Sequence, residues 1–166
     1  MEGHIYSNWL KAPVALPALV LIISGGHTIL LLMEKIGEYK ILGETLDDAV
    51  GEAYDKVAKM LKLPYPGGPE VERLADLGDA KKVILPRPML HSRDYNFSLS
   101  GLKTAVLYYL RDNPEVTKED LCAGFQEAVV EVLVKKCGKA ITEFGPASLL
   151  VCGGVAANET IKKALA

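Results

Sequence analysis

Unbroken apolar runs that end in paired glycines mark both ends of the chain. Leu19-Val20-Leu21-Ile22-Ile23 leads into Ser24-Gly25-Gly26-His27, and a second apolar run, Thr28 to Met33, follows at once. A run too apolar to be half exposed predicts a central strand at about 17–24, with 28–33 as its hairpin partner. Gly37 marks the next turn and Tyr39 to Leu42 a third short strand. The period then changes. Leu46, Val50, Ala53, Val57 and Leu61 recur at helical spacing, predicting a helix to about Leu61 that Asp47 or Asp48 caps. Pro64-Tyr65-Pro66-Gly67-Gly68-Pro69 reads as a stiff loop, with a short helix from Pro69 to Leu77 beyond it. Residues 81–99 read as irregular. Helices are predicted at about Ser100–Arg111 and Lys118–Phe144, the second carrying Leu121, Phe125, Val129 and Val132 on apolar positions. The last strand, Ser148 to Cys152, ends in Gly153-Gly154, with a helix opening near Ala156. At the start, His4 to Lys11 reads as the end of a helix that Pro13 stops.

Strand–strand–strand–helix followed by strand–helix is the order of an α/β, ribonuclease-H-like half of the actin-like ATPase (ASKHA) fold. Residues of about 69–145 then form a helical insertion. A glycine pair behind a buried strand lets the backbone turn sharply and present bare N–H groups to a ligand. Two such turns in one chain point to a nucleotide cleft. No GxxxxGK[ST] run occurs, so a Walker loop is excluded.

Composition narrows the class without naming a chemistry. With 166 residues, 49% of them hydrophobic and 24% charged, the chain can bury one sizeable core. A net charge of −2 gives no footprint for autonomous nucleic-acid binding. Cys122, Cys137 and Cys152 are odd in number and lack CxxC spacing, which favours free thiols in a reducing, cytoplasmic compartment. The apolar stretch from Pro13 to Ile23 is too short to span a bilayer and holds Pro17, so neither anchor nor signal peptide is expected. Lys81, Lys82, Arg87, Arg93 and Lys103 fall in the insertion, as a solvated surface or alternatively as a face toward RNA.

Five strings together resemble one family. They are Ile23-Ser24-Gly25-Gly26-His27-Thr28, the run Gly43-Glu44-Thr45-Leu46-Asp47-Asp48-Ala49-Val50-Gly51-Glu52-Ala53-Tyr54-Asp55-Lys56, Tyr65-Pro66-Gly67-Gly68-Pro69, Phe97-Ser98-Leu99-Ser100-Gly101-Leu102-Lys103-Thr104, and Gly153-Gly154-Val155-Ala156-Ala157-Asn158. In this order they resemble the tRNA threonylcarbamoyltransferase (TsaD) family, formerly called glycoprotease or O-sialoglycoprotein endopeptidase. The resemblance implies transfer of a threonylcarbamoyl group from threonylcarbamoyl-adenylate to N6 of the adenosine beside the anticodon, in tRNAs reading codons that begin with A. AMP is released. It implies that Ile22, Ile23, Ser24, Gly25 and Gly26 meet the substrate through backbone N–H groups, that Asp55 holds ribose hydroxyls, that Gly68 admits the sugar and that Asn158 lies near the adenine. It also implies one divalent metal ion, iron or zinc, an actin-like partner subunit and a small ATPase of the same pathway.

Each assignment has a plainer alternative: a hairpin turn for Gly25-Gly26, a solvated helical carboxylate for Asp55, a turn glycine for Gly68 and a helix N-terminal residue for Asn158. The family's metal motif, His-x-x-x-His on a helix, is matched only by His4; its first histidine would fall before Met1, and an aspartate ligand beyond Ala166. The expectation is therefore a fragment, inactive on its own although the full-length protein is the enzyme, with residues 1–12 a remnant helix of a first lobe, residues 13–166 an incomplete second lobe, metal binding weak or absent, and self-association through exposed surfaces. His27 and His91 are weaker metal candidates. The rivals are an actin-like scaffold or dimerisation module without catalysis and an ATP-dependent kinase of the same superfamily. A peptidase is excluded, since neither His-Glu-x-x-His nor Gly-x-Ser-x-Gly occurs.

Overall fold

The computed structural model describes residues 14–166; the expected helix at 4–11, and His4 within it, lie outside them. Strands β1 (Ala18–Ile23), β2 (Thr28–Lys35) and β3 (Glu38–Glu44) precede helices α1 (Val50–Met60) and α2 (Gly67–Ala75). Helices α3 (Ser100–Asp112) and α4 (Lys118–Phe144) follow, then strand β4 (Ser148–Cys152) and helix α5 (Glu159–Leu165). The sheet order is β3-β2-β1-β4; β1 is antiparallel to β2 and parallel to β4. With neighbours on both sides and all six residues buried, β1 is the central strand its apolar run predicts.

Alternation along β1 feeds two cores. Leu19, Leu21 and Ile23 pack under α1 and α4 with Tyr54, Val57, Phe125, Val129 and Val132, while Ala18, Val20 and Ile22 join Leu31, Met33 and Cys152 on the opposite face. The three thiols are free and buried. Burial pushes those of Cys122 and Cys137 up to about 12 and that of Cys152 to about 11, which keeps them protonated and unreactive.

Three helix starts differ from expectation, each because of where the first backbone N–H groups find their acceptors. Helix α1 begins at Val50 with Ala49 before it and no side-chain cap, and Leu46 is 63% exposed, off the helix altogether. Its first donors go to β-hairpin groups instead: Val50 N–H donates to Thr28 Oγ1 at 2.9 Å and Gly51 N–H to the Ser24 carbonyl at 3.1 Å. Asp47 is thereby free to cap α3, a helix far along the chain. Its Oδ1 accepts from Leu99 N–H (2.7 Å) and Ser100 N–H (3.2 Å), its Oδ2 from the Ser98 and Ser100 hydroxyls (both 2.6 Å). Partial desolvation raises this carboxyl, but the hydrogen bonds from Ser100, Ser98 and Leu99 outweigh it and hold the pKa at about 2.

Helix α2 starts at Gly67 rather than Pro69, because Asp55 Oδ1 accepts from Gly67 N–H at 2.8 Å and so supplies the cap. Helix α5 starts at Glu159 rather than near Ala156. Gly154–Ala157 forms a 3-10 turn, and Asn158 caps the helix by accepting from Ile161 N–H at 2.8 Å.

The irregular segment 81–99 is pinned to α4 by charged groups. Lys136, 1% exposed, donates to Ser92 Oγ (2.6 Å) and to the Asp94 carbonyl (2.9 Å). Arg87 spans Glu127 and Glu131, both at 2.8 Å. Two of the five insertion cations are thus committed internally, since Lys82 also pairs with Asp120 at 3.0 Å.

Candidate functional site

Both glycine turns lie at the same end of the sheet, because β1 and β4 run parallel with Ile22 beside Cys152. The backbones touch there. A Cβ on Gly153 would stand 2.2 Å from the Ile23 carbonyl oxygen, and its φ of +99° is one that L side chains rarely adopt. The first turn is seated on α1 in the same way: a Cβ on Gly51 would stand 2.8 Å from Gly25 Cα and from the Ser24 carbonyl oxygen.

Between these turns opens a cavity of about 470 Å³. Gly25 and Gly154 both border it, Asp55, Tyr54 and Gly51 contribute from α1, Gly68 and Glu72 from α2, and Asn158 from the start of α5. A Cβ added at Gly25, Gly26, Gly68 or Gly154 would meet nothing within 4 Å, so the protein's own packing places no demand on those positions. The volume suits a small organic ligand with a few convergent polar groups.

Of the residues singled out from sequence, the structure gathers Gly25, Asp55, Gly68 and Asn158 around this one cavity. Ile22 and Ile23 do not reach it with side chains, which point into the two opposite cores, and their strand is paired on both edges. Ser24 closes its own turn: its Oγ accepts from His27 N–H at 3.0 Å and, longer, from Gly26 N–H at 3.4 Å. Asp55 is neither a bare helical carboxylate nor wholly free, since one oxygen holds Gly67. Asn158 is held on both sides, its amide donating to Gln126 Oε1 at 3.0 Å while its oxygen caps α5.

Tyr54 and Asn158, both bordering the cavity, converge on a buried polar node at Gln126. Gln126 Oε1, from the middle of α4, accepts from Asn158 Nδ2 and from the Tyr54 hydroxyl at 3.4 Å. Desolvation, reinforced by Glu72, pushes the Tyr54 hydroxyl far upward, so it stays a donor. Glu72 accepts from Glu159 N–H at 2.6 Å, joining α2 to α5 across the rim. No local pattern marks Tyr54, Glu72 or Gln126, because each acquires its partner from a distant element.

A second hollow of about 590 Å³ adjoins the first and shares Gly25 and Asp55 with it. Its other walls include Lys56, Lys59, Lys62, Tyr65 and Gly67.

Among the described residues no group of three or more His, Cys, Asp and Glu side chains could hold an ion. His27 and His91 are exposed, and neither borders the two hollows. Among the described residues no helix is long and apolar enough to cross a membrane.

Residues 1–166 match the family model described as tRNA N6-adenosine threonylcarbamoyltransferase, TsaD. The chain belongs to this family. Curated relatives of that name include those of Trichlorobacter lovleyi, 52% identical over 99% of this chain and 49% of the relative, and of Bacillus subtilis, 48% identical over the same shares. The Thermosipho africanus relative is 50% identical over 97% of this chain and 50% of its own length. The chain spans about half the length of the curated relatives it matches.

Among solved structures, the activator of 2-hydroxyisocaproyl-CoA dehydratase from Clostridium difficile with bound ADPNP is similar with a TM-score of 0.55 at 18% identity, over 90% of this chain and 50% of that one. Component A of the (R)-2-hydroxyglutaryl-CoA dehydratase of Acidaminococcus fermentans is similar with a TM-score of 0.59 at 17% identity, over 96% of this chain and 54% of that one. At such identities the likeness is one of fold, and the fold is the actin-like ATPase architecture that the element order predicts.

Proposed function

We propose that the protein transfers the threonylcarbamoyl group of threonylcarbamoyl-adenylate to N6 of an adenosine beside the anticodon of tRNA, releasing AMP. One observation carries the reading: Gly25, Asp55, Gly68 and Asn158, drawn from four separate stretches of a chain of this family, border a single cavity.

The chemistry asks little of acid–base groups. An acyl adenylate is already activated, so the adenosine amine attacks the carbonyl carbon, the new C–N bond forms, the C–O bond to phosphate breaks with its electron pair leaving on AMP, and the proton shed by N6 goes to water. The protein's part is to grip the adenylate and hold the carbonyl within reach of the amine. The bare turns at Gly25 and Gly154 let backbone approach the ligand closely. The Asp55 oxygen not engaged by Gly67 has the acceptor chemistry that ribose hydroxyls require. Gln126 holds Asn158, which borders the cavity, in place. A divalent metal would polarise the transferred group when bound; under this reading His4 is the ligand this chain would contribute, and a cytoplasmic location accompanies a tRNA substrate.

The test is saturable AMP binding by calorimetry, together with adenylate-dependent mass gain of tRNA. In Asp55→Asn the amide oxygen keeps the Gly67 cap while the charge is lost, so AMP affinity falls about tenfold with the fold intact. No saturable AMP binding would leave the scaffold reading in its place.

A further inference from the structure

The second hollow has a different chemistry from the first. Three lysines line it with two carboxylates, Glu52 and Asp55, and among the described residues only Lys56 is ion-paired, to Asp48 at 2.6 Å and Glu52 at 2.8 Å. Lys59 and Lys62 are exposed and form no ion pair among the described residues. Tyr65 stands beside them 86% exposed, between Pro64 and Pro66. That loop is stiff by composition, so its ring is displayed at small entropic cost. Lys62 adopts a left-handed φ of 54°, a conformation that costs a lysine about 1 kcal/mol and that glycine would take freely.

Unpaired ammonium groups along a groove with an exposed aromatic ring are the composition of a surface for single-stranded nucleic acid. The cations take phosphates and the ring takes a base. The two hollows share Gly25 and Asp55, so an RNA whose reactive base meets a ligand held in the first would lay its flanking nucleotides toward the second.

We infer that Lys59, Lys62 and Tyr65 form the RNA-docking surface of the site, Lys59 and Lys62 holding phosphates and Tyr65 stacking on an unpaired base next to the one modified. This rests on the function proposed above and adds to it the surface that receives the RNA.

The experiment uses the protein as its host expresses it. In Lys59→Ala/Lys62→Ala the Kd for tRNA rises about tenfold, and the slope of log K against log salt falls by about 1.4, the loss of two single-strand phosphate contacts. Tyr65→Ala raises the Kd about tenfold through lost stacking. AMP affinity stays within about twofold in both. Unchanged tRNA affinity with AMP binding intact overturns the inference alone. So does an equal loss in the charge-matched variant Lys81→Ala/Arg93→Ala, which would make the effect one of general charge. Absence of saturable AMP binding in the unaltered protein sinks the proposed function, and this inference with it.

Discussion

The two glycine turns look alike in sequence and differ in what constrains them. At the second, Gly153 is required by the fold: its backbone is left-handed, and the Ile23 carbonyl fills the space a side chain would occupy. At the first, Gly25 and Gly26 have no positive φ and face open space. The second turn is locked by strand packing and by the buried Asn158 cap, the first by an exposed serine hydroxyl and by the start of α1. Identical residue types can thus serve architecture in one place and leave room for a ligand in another.

Substitution separates the two most sharply. Gly153→Ala forces a Cβ against backbone in a conformation that alanine resists, and we expect a loss of about 3 kcal/mol in urea denaturation. A loss below about 1 kcal/mol would show that β1 and β4 can part without penalty. Gly25→Ala should change stability by less than about 1 kcal/mol, since nothing crowds the new methyl group. The same variant should lower AMP affinity about tenfold, because the methyl group projects where a ligand would approach. Equal AMP binding by Gly25→Ala and the unaltered protein would remove the first turn from the binding wall.

Acid gives the smallest and most local contrast. The Asp47 carboxyl, at about 2 in the folded protein against an ordinary 3.8, stabilises the fold fully above about pH 4, and that contribution disappears as pH falls through 2. The group is exposed, so the effect is about 1 kcal/mol or less. Amide exchange at Leu99 and Ser100 should quicken over that range while exchange at Ile161, capped by the untitratable Asn158, does not follow. Parallel acceleration at all three amides would contradict the assignment of separate anchors.

The strands and long helices were legible because burial on both faces leaves only apolar letters, as in Leu19 to Ile23, and because amphipathic periods persist over several turns. The start of α1 departs from its local pattern for a physical reason. Asp47 and Asp48 stand where a cap belongs, but Asp47 finds four donors at Ser98, Leu99 and Ser100, more than α1 could offer it. The site was half legible. Glycine pairs and the run holding Asp55 announce themselves in sequence, whereas Gln126 earns its place only when α4 is folded under Asn158 and Tyr54.

Helix α1 is a party wall. Asp55 borders both hollows from it, and Gly25 is pressed against its first turn. Two occupants on either side would therefore feel one another through the same carboxylate and the same stretch of backbone, and by linkage whatever the first does to the affinity of the second, the second returns in equal measure.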